Sequence, residues 1–333
     1  MAVLPREAAM DPFTTIWLAF LALGAAIING AIGYGFSSIV TPVALLWYSN
    51  KILNPALVTV EVAVNIALLI RERKYIRGTW HRARPIVTTL LPGVILGTIG
   101  LAYLAVNDVK VVVYATLLPL VLLQLLGVYR PFKNERRGGM AIGPGIGFLY
   151  SLTTISGPPL ALFLRNQGMS KNEFRCAIAQ IRVAESTLTL SAYTIFSFLF
   201  GGNLVTLPSL SLLPFLIVPV VIGVPIGTLL LRKVSPEFFR RFVMSCDAIL
   251  VSYGLTRVFA SLKWLSTNAS YLLLTAMLAI IGVLTWLALR RVSMQPGPDN
   301  GNGGSKPPPP RQPPLGHSEP YPTASSSGSA EPG

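Results

Sequence analysis

Charged residues are scarce in this chain of 333 residues, and acidic residues are fewer than half as numerous as basic ones. Asp, Glu, Lys and Arg make up 12% of the sequence, compared with about 25% in an average soluble domain. Hydrophobic residues make up 52%, and the mean hydropathy is +0.59. Several apolar runs of roughly 20 residues follow one another, which is the length that crosses the hydrocarbon core of a bilayer. The composition argues against a soluble domain and predicts an all-α polytopic protein of the cell (inner) membrane.

Cysteine and histidine occur only twice each. Cys176 and Cys246 lie within or at the edge of apolar runs, and their spacing suggests neither a metal site nor a disulfide framework. His81 and His317 lie in predicted loops, where we expect them to be solvated. No glycine-rich loop ends in Lys-Ser or Lys-Thr, which argues against ATP-driven pumping by this chain alone. We therefore expect no metal and no cofactor.

The excess of basic residues is concentrated between the apolar runs, at 71–84, 130–137, 165–175, 232–241 and 290–291. On a soluble protein this excess would suggest a nucleic-acid partner. Between membrane spans it is an orientation signal, because short cytoplasmic loops are enriched in Lys and Arg. We therefore expect the basic loops and the C-terminal tail to be cytoplasmic, and we expect no nucleic-acid binding.

Two apolar stretches contain too much glycine and proline for an unbroken helix. The first is Asn29 to Leu46, with Gly33-Tyr34-Gly35 followed by Pro42, and the second is Gly143 to Arg165, with Gly157-Pro158-Pro159. Broken helices are tolerated inside a bilayer only where protein or a water-filled cavity satisfies the freed backbone groups. Both stretches therefore predict a helix break at a site.

The two broken stretches belong to an internal repeat. A shift of 117 residues places Gly30 on Gly147 and Pro42 on Pro159, and a shift of 127 places Pro92 on Pro219 and Gly100 on Gly227. Paired Gly and Pro positions in the same order are difficult to obtain by chance. The segments that we expect are an N-terminal tail (1–12), a first transmembrane repeat (13–130), a cytoplasmic loop (131–139), a second transmembrane repeat (140–262), a C-terminal transmembrane helix (269–290) and a disordered Pro/Gly/Ser-rich tail (292–333).

The positions of the basic clusters indicate how the two repeats are oriented. If each broken stretch crossed the membrane once, the clusters at 71–84 and 130–137 would lie on one side and those at 165–175 and 232–241 on the other. If each is a re-entrant hairpin, all basic clusters lie on one face, as the positive-inside bias favours. The prediction is therefore two inverted repeats, each with a broken or re-entrant hairpin plus about three spanning helices, one extra C-terminal span and an external N-terminus.

Inverted halves that each open with a Gly-rich broken stretch resemble the sulfite exporter TauE/SafE family of membrane transporters. The residues that carry the resemblance are Gly30-Ala-Ile-Gly-Tyr-Gly-Phe with Pro42, and Gly143-Pro-Gly-Ile-Gly with Ser156-Gly-Pro-Pro-Leu. The likeness covers about residues 13–260, and the chain departs from the commoner Gly-Gly pattern at Tyr34-Gly35. The resemblance implies secondary transport, often export, of sulfite, sulfonates or other small sulfur-containing anions.

Arg182, inside the apolar run Cys176 to Phe200, is the strongest candidate for substrate contact. A cation near mid-span is costly unless it is paired or faces water. Its pseudo-symmetry mate under the 117-residue shift is Asn65, and inverted-repeat transporters bind their substrates near the midplane. Its guanidinium could hold an oxyanion through two parallel hydrogen bonds. The alternative is a structural ion pair with Glu185, three residues further along the helix.

Glu61, four residues before Asn65, and Glu185 are the candidates for coupling transport to protons. Burial in a low-dielectric site favours the protonated form of a carboxyl group. For Glu61 the alternatives are a partner for Arg182 or a lone polar group that binds to a broken helix.

Neutral donors at the two breaks complete the predicted substrate site. Because the N-termini of half-helices carry partial positive charge and free amides, two such breaks meeting at the midplane would bind an anion. For any single Ser or Thr, a bond to its own helix is the alternative. The candidates, including one further polar residue in the span of Arg182, are Tyr34, Gly35, Ser37, Ser38, Thr41, Thr153, Thr154, Ser156, Gly157 and Gln180.

The rival function classes are an intramembrane enzyme acting on a lipid and an anion channel. An enzyme would need a carboxylate cluster for a metal, or a nucleophile with a base. Glu61, Glu185 and Asp247 are scattered along the sequence with no His nearby. We therefore expect a transporter rather than an enzyme, with a small anion and the lipid bilayer as partners and a homo-oligomer as a further possibility.

Overall fold

The computed structural model describes residues 12–126, 134–165, 169–200, 210–230, 236–264 and 266–293, and within these ranges the chain is helical, without a strand. Twelve α-helices are named here. Their bounds are α1 Pro12–Ile32, α2 Phe36–Ala44, α3 Asn50–Arg71, α4 Ile76–Val87, α5 Leu90–Tyr103, α6 Val106–Leu126, α7 Glu135–Thr153, α8 Gly157–Arg165, α9 Lys171–Phe200, α10 Leu213–Leu230, α11 Pro236–Ser261 and α12 Thr267–Ser293, with a short 3₁₀ turn at Arg73–Tyr75.

Five helices in the described part of the chain are long and apolar enough to cross a membrane, namely α1, α3, α6, α9 and α12. The segment Arg73–Val87 and helix α5 meet at a bend of 52°, and as one bent span they would make a sixth. Shorter apolar helices occupy Leu213–Leu229 and Ala248–Ser261. This architecture is all-helical and consistent with the predicted polytopic membrane protein.

Several segments predicted as loops are helical. Part of the basic region 71–84 forms α4, because Thr79 and Ala83, four residues apart, face the protein while Arg77 and Arg84 remain exposed. Helix α9 begins at Lys171 rather than at Cys176, and α11 begins at Pro236.

Helices α7 and α12 also extend beyond the segment bounds predicted from the sequence. Helix α7 begins inside the predicted loop 131–139, where the side chain of Asn134 accepts a hydrogen bond from the amide of Arg137 at 3.1 Å and so caps the helix. Helix α12 continues to Ser293, while residues 1–11 and 294–333 lie outside the described chain.

The first break lies at Gly33 to Gly35, where the sequence predicts it. Gly33 has φ 94° and Gly35 has φ 110°, left-handed conformations that glycine adopts without steric penalty. The second break lies at Thr154 to Ser156, just before the prolines. Pro158 and Pro159 lie in the first turn of α8, where a missing amide hydrogen breaks no intrahelical bond.

Side chains from neighbouring helices bind carbonyl oxygens that the broken helices leave free. The Tyr114 hydroxyl donates to the Pro42 carbonyl at 2.7 Å, and the Asn54 amide donates to the Leu152 carbonyl at 2.8 Å. The Tyr193 hydroxyl donates to the carbonyl of Ser151, the residue before Leu152. These bonds satisfy backbone groups that have no water partner inside a membrane.

Close helix packing through glycine connects distant parts of the chain. Helix α1 packs against α10, where Gly30 lies against the backbone of Val224 and Gly227 lies against the backbone of Ile27. Helix α7 packs against α5 in the same manner, with Gly93 against the backbone of Pro144. Small residues of this kind let membrane helices approach closely. Helices α3 and α9 also pack together, as do α6 and α11, and the α3–α9 contact carries the candidate site.

Candidate functional site

Arg182 on α9 is one of the largest fully buried side chains, with 2% of its side chain exposed. Its Nη2 lies 2.6 Å from Oε1 of Glu61 on α3, and its Nε lies 3.8 Å from Oε1 of Glu185, one turn further along α9. Both partners anticipated for Arg182, Glu61 and Glu185, are therefore present. Glu61, brought from another helix, is the closer one.

A neutral hydroxyl binds each of the two carboxylates. The Tyr150 hydroxyl on α7 donates to Oε2 of Glu61 at 2.6 Å, and the Tyr150 ring centroid lies 5.9 Å from Cζ of Arg182. The Ser156 hydroxyl, at the second break, donates to Oε1 of Glu185. The four groups and the serine form one buried polar network.

The first break also contacts this network. The Arg182 guanidinium donates to the hydroxyl of Ser37, in the first turn of α2, at 3.4 Å. Gly157, the first residue of α8, packs so closely against Tyr34 and Arg182 that an added Cβ would lie 2.9 Å from the Tyr34 ring and 3.4 Å from Nη1 of Arg182. Arg182 thus lies between α2 of the first broken stretch and α8 of the second.

The two broken stretches touch each other directly. Thr41 Oγ1 on α2 lies 2.9 Å from Thr154 Oγ1, and both residues are fully buried. Thr154 has φ 61°, which is unusual for a β-branched residue. Strained backbone of this kind persists where the surroundings fix it, and it is concentrated at functional and switch positions.

Other predicted site residues bind elsewhere. Gln180 precedes Arg182 by two residues on α9, and residues two apart on a helix face nearly opposite directions. The Gln180 amide therefore faces away from the network and donates to the Ile76 carbonyl on α4 at 2.8 Å. Ser38 donates to the Gly35 carbonyl at 3.1 Å, and Thr153 donates to the Leu149 carbonyl at 2.6 Å. Both follow the local bonding given above as the alternative for single Ser and Thr residues.

Asn65 lies one turn after Glu61 on α3 and is 2% exposed. Its Nδ2 has no hydrogen-bond acceptor among the described residues, and Oε2 of Glu185 has no donor there either. A buried polar atom without a partner is destabilising unless a ligand or water binds it. The site therefore retains hydrogen-bonding capacity that the described chain does not use.

Two buried polar residues were not among the site candidates taken from the sequence: Tyr150, which belongs to the network, and Arg175, which lies outside it. Tyr150 was not a candidate, although a hydroxyl within an apolar run was a usable signal. Arg175 was predicted to lie in a loop; it is 6% exposed near the start of α9. It donates to the Gly30 carbonyl at 3.1 Å and lies 3.5 Å from Glu72, so it ties the end of α1 to α3 and α9.

The charges at the site do not balance when every group is ionised. In the described part of the chain, the ion pairs here join one guanidinium to two carboxylates, which gives a formal charge of −1. Isolated buried charge is strongly unfavourable. The arrangement can therefore bind an anion at Arg182 only if a carboxylate moves away or takes up a proton.

No group of three or more His, Cys, Asp or Glu side chains suited to a metal ion occurs within the ranges given above. The side chain of Asp247, the third carboxylate of the enzyme alternative, lies outside the described residues.

Comparison with known proteins identifies the family. The chain matches the family described as Sulfite exporter TauE/SafE over residues 18–254, which is more than half of its length. No curated protein and no solved structure matches it. The match includes both broken stretches and all the residues of the buried network. The chain belongs to the sulfite exporter TauE/SafE family, which implies a multi-pass membrane transporter of sulfite or related sulfur-containing anions.

Proposed function

We propose that this protein is a secondary transporter that carries sulfite, a sulfonate or a related sulfur oxyanion across the cell membrane, with Arg182 as the central contact. The observation that carries the proposal is the position of Arg182, which is fully buried between two broken helices and held there by two carboxylates. An intramembrane cation in such a position indicates a substrate or ion pathway.

The anion binds by replacing Glu61 at the guanidinium. Arg182 presents a planar set of N–H donors, which suits two oxygens of a sulfite or sulfonate. The Ser37 hydroxyl, already 3.4 Å from the guanidinium, and the Ser156 hydroxyl rotate toward the anion. The free Nδ2 of Asn65 supplies a further donor.

Charge balance supports coupling to protons. A monoanion added to the ionised network would bring its formal charge from −1 to −2 in a buried site. Protonation of Glu61 and Glu185 together with anion binding brings the charge to zero. Each carboxyl already has a hydroxyl neighbour, Tyr150 or Ser156, that can hold the protonated form by accepting its hydrogen. Anion and protons therefore move in the same direction, and the gradient sets that direction.

Inverted repeats give this site its alternating access. The packing of α1 against α10 has its counterpart in α7 against α5, and α3 with α9 and α6 with α11 each pair a helix with its repeat mate. This pattern supports two interlocked halves related by a twofold axis through the site. Movement of one half against the other, with basic loops on the cytoplasmic face, opens the site to each side in turn.

The test is sulfite flux into liposomes that contain the purified full chain, with and without a pH gradient. We expect flux that rises when the gradient drives protons in the direction of sulfite. Arg182→Lys keeps the charge but loses the planar fork, and we expect it to reduce flux at least tenfold, whereas Arg77→Gln, the loss of an exposed cation, leaves flux unchanged.

A thermal-shift measurement supplies the binding side of the same test. Sulfite should raise the Tm of the wild-type protein and of Arg77→Gln but not that of Arg182→Lys. Turnover of a lipid without anion flux would identify an enzyme and contradict the proposal, and so would full sulfite transport by Arg182→Lys.

A further inference from the structure

An electropositive cavity lies away from Arg182, at the N-terminal end of α6 and the C-terminal end of α11. It has a volume of about 660 Å³ and is lined by the segment after α2, by the first turns of α6 and by the last turns of α11. Its charged, amide and aromatic lining residues are Trp47, Asn107, Lys110, Tyr114, Tyr253 and Arg257.

The charge of this cavity differs from that of the buried network. Lys110 and Arg257 both line it, and no carboxylate is among its lining residues in the described chain. Neither cation forms an ion pair with a described acidic side chain, whereas Arg182 is held by two carboxylates. The cavity therefore carries positive charge that no described carboxylate among its lining residues neutralises.

The walls of the cavity reach the broken helices. Tyr114 lines the cavity and donates a hydrogen bond to the carbonyl of Pro42 on α2. Thr41, the preceding residue, contacts Thr154 of the second broken stretch. A ligand that touches Tyr114 is thus connected to the Thr41–Thr154 contact between the two breaks through the hydrogen bond from Tyr114 to Pro42.

Exposed tryptophans at and near the cavity are typical of a membrane–water interface. Trp47 at its edge is 44% exposed, and Trp264, three residues after the end of α11, is 64% exposed. Tryptophan is enriched at the level of the lipid headgroups. An anion from the aqueous phase can reach Lys110 and Arg257 at this depth.

We propose that this cavity is an oxyanion-binding vestibule, in which Lys110 and Arg257 bind the transported anion before it moves past α2 to Arg182. The proposal rests on the proposed transport function for the identity of the anion. A lipid phosphate offers the same chemistry as a free sulfur oxyanion, so the experiment separates the two sources.

Quenching of Trp47 fluorescence by iodide reports anions in the cavity without requiring transport. The experiment uses a full-length variant that keeps Trp47 and has the other four tryptophans replaced by Phe. This variant is reconstituted in nanodiscs of neutral phosphatidylcholine. We expect iodide to quench Trp47 several-fold more effectively than the neutral quencher acrylamide, and sulfite to protect it.

The matched variants decide whether the two cations cause this effect. The double variant Lys110→Gln/Arg257→Gln should reduce iodide quenching roughly tenfold, a change that corresponds to a tenfold weaker anion association. Each single variant should give an intermediate value. Lys263→Gln, which removes a cation next to the end of α11 but outside the cavity lining, should leave quenching unchanged. Equal quenching in the double variant and in Lys263→Gln overturns the proposal.

The lipid arm repeats the measurement in nanodiscs that contain anionic phosphatidylglycerol. Protection of Trp47 by this lipid, together with no protection by sulfite in neutral nanodiscs, overturns the vestibule and assigns the cavity to a lipid headgroup.

A transport arm separates this proposal from the transport function itself. In liposomes of neutral lipid, the double variant should raise the KM for sulfite roughly tenfold with little change in maximal rate. Unchanged KM with normal transport overturns the vestibule alone. Absence of sulfite transport in the wild type contradicts the proposed function, while the iodide result still tests the cavity.

Discussion

The ion pair between Arg182 and Glu61 should be strongly coupled in a double-mutant cycle. The perturbations are Arg182→Gln, Glu61→Gln and the combination of the two. With Nη2 only 2.6 Å from Oε1 and both side chains 2% exposed, neither charge can be stabilised by water when its partner is removed.

The expected magnitudes follow from what each variant leaves behind. Arg182→Gln leaves Glu61 and Glu185 buried without a cation, and loss of one partner of a buried pair destabilises by about 3–5 kcal/mol. Glu61→Gln leaves Arg182 with Glu185 at 3.8 Å, so it destabilises less, by about 1–3 kcal/mol. The double variant leaves one buried carboxylate instead of two. We therefore expect a coupling free energy of about 2 kcal/mol, near the upper part of the usual range.

Thermal unfolding of the purified protein in detergent, followed by tryptophan fluorescence, measures this coupling. About 2 kcal/mol corresponds to a difference of roughly 3–4 °C in Tm between the double variant and the sum of the single effects, because the unfolding entropy grows with chain length. The control cycle uses Arg82→Gln and Glu135→Gln, because that pair, 3.6 Å apart with side chains 24% and 44% exposed, should couple by less than about 1 kcal/mol. If the Arg182 cycle shows no more coupling than the control cycle, the buried ion pair and the network built on it are refuted.

Three further predictions test other parts of the molecule. Glu61→Gln should still transport sulfite but respond less to an imposed pH gradient, because only Glu185 is left to take up a proton with the anion, as measured by flux with and without the gradient; a full response would remove Glu61 from proton coupling. Gly227→Ala should reduce the free energy of unfolding by about 1–3 kcal/mol through overpacking and so lower Tm, because an added Cβ would meet the backbone of α1. Gly24→Ala, with nothing within 4 Å of the added Cβ, should keep the wild-type Tm. Equal Tm values for the two variants would contradict the close α1–α10 contact. Tyr114→Phe should destabilise by about 1–3 kcal/mol because it leaves the Pro42 carbonyl without its 2.7 Å bond, and an unchanged Tm would show that this bond is dispensable.

Much of the fold could be predicted from the sequence because membrane helices are encoded locally. Runs of apolar residues of sufficient length identify the spans without reference to tertiary contacts. The first break was also local, since Gly33 and Gly35 adopt φ values that other residues rarely do. The second break was displaced toward Thr154, because prolines disrupt the turn before them rather than the one they start.

The loop predictions failed where helices were amphipathic or extended beyond the apolar run. Basic residues were assigned to loops by charge alone, although α4 buries Thr79 and Ala83 against other helices. Arg175 was misassigned for the same reason, and its bond to the Gly30 carbonyl depends on α1, which lies far away in the sequence.

The sequence by itself determined the class of protein, the position of the first break, the family resemblance and the presence of a buried cation at Arg182. Only the tertiary structure decided that Glu61 is its nearest partner, that Tyr150 belongs to the network, that Thr41 meets Thr154 and that Gln180 faces elsewhere. The physical reason is that hydropathy and backbone conformation depend on neighbouring residues, whereas an ion pair or hydrogen bond between two helices depends on how those helices are packed and rotated.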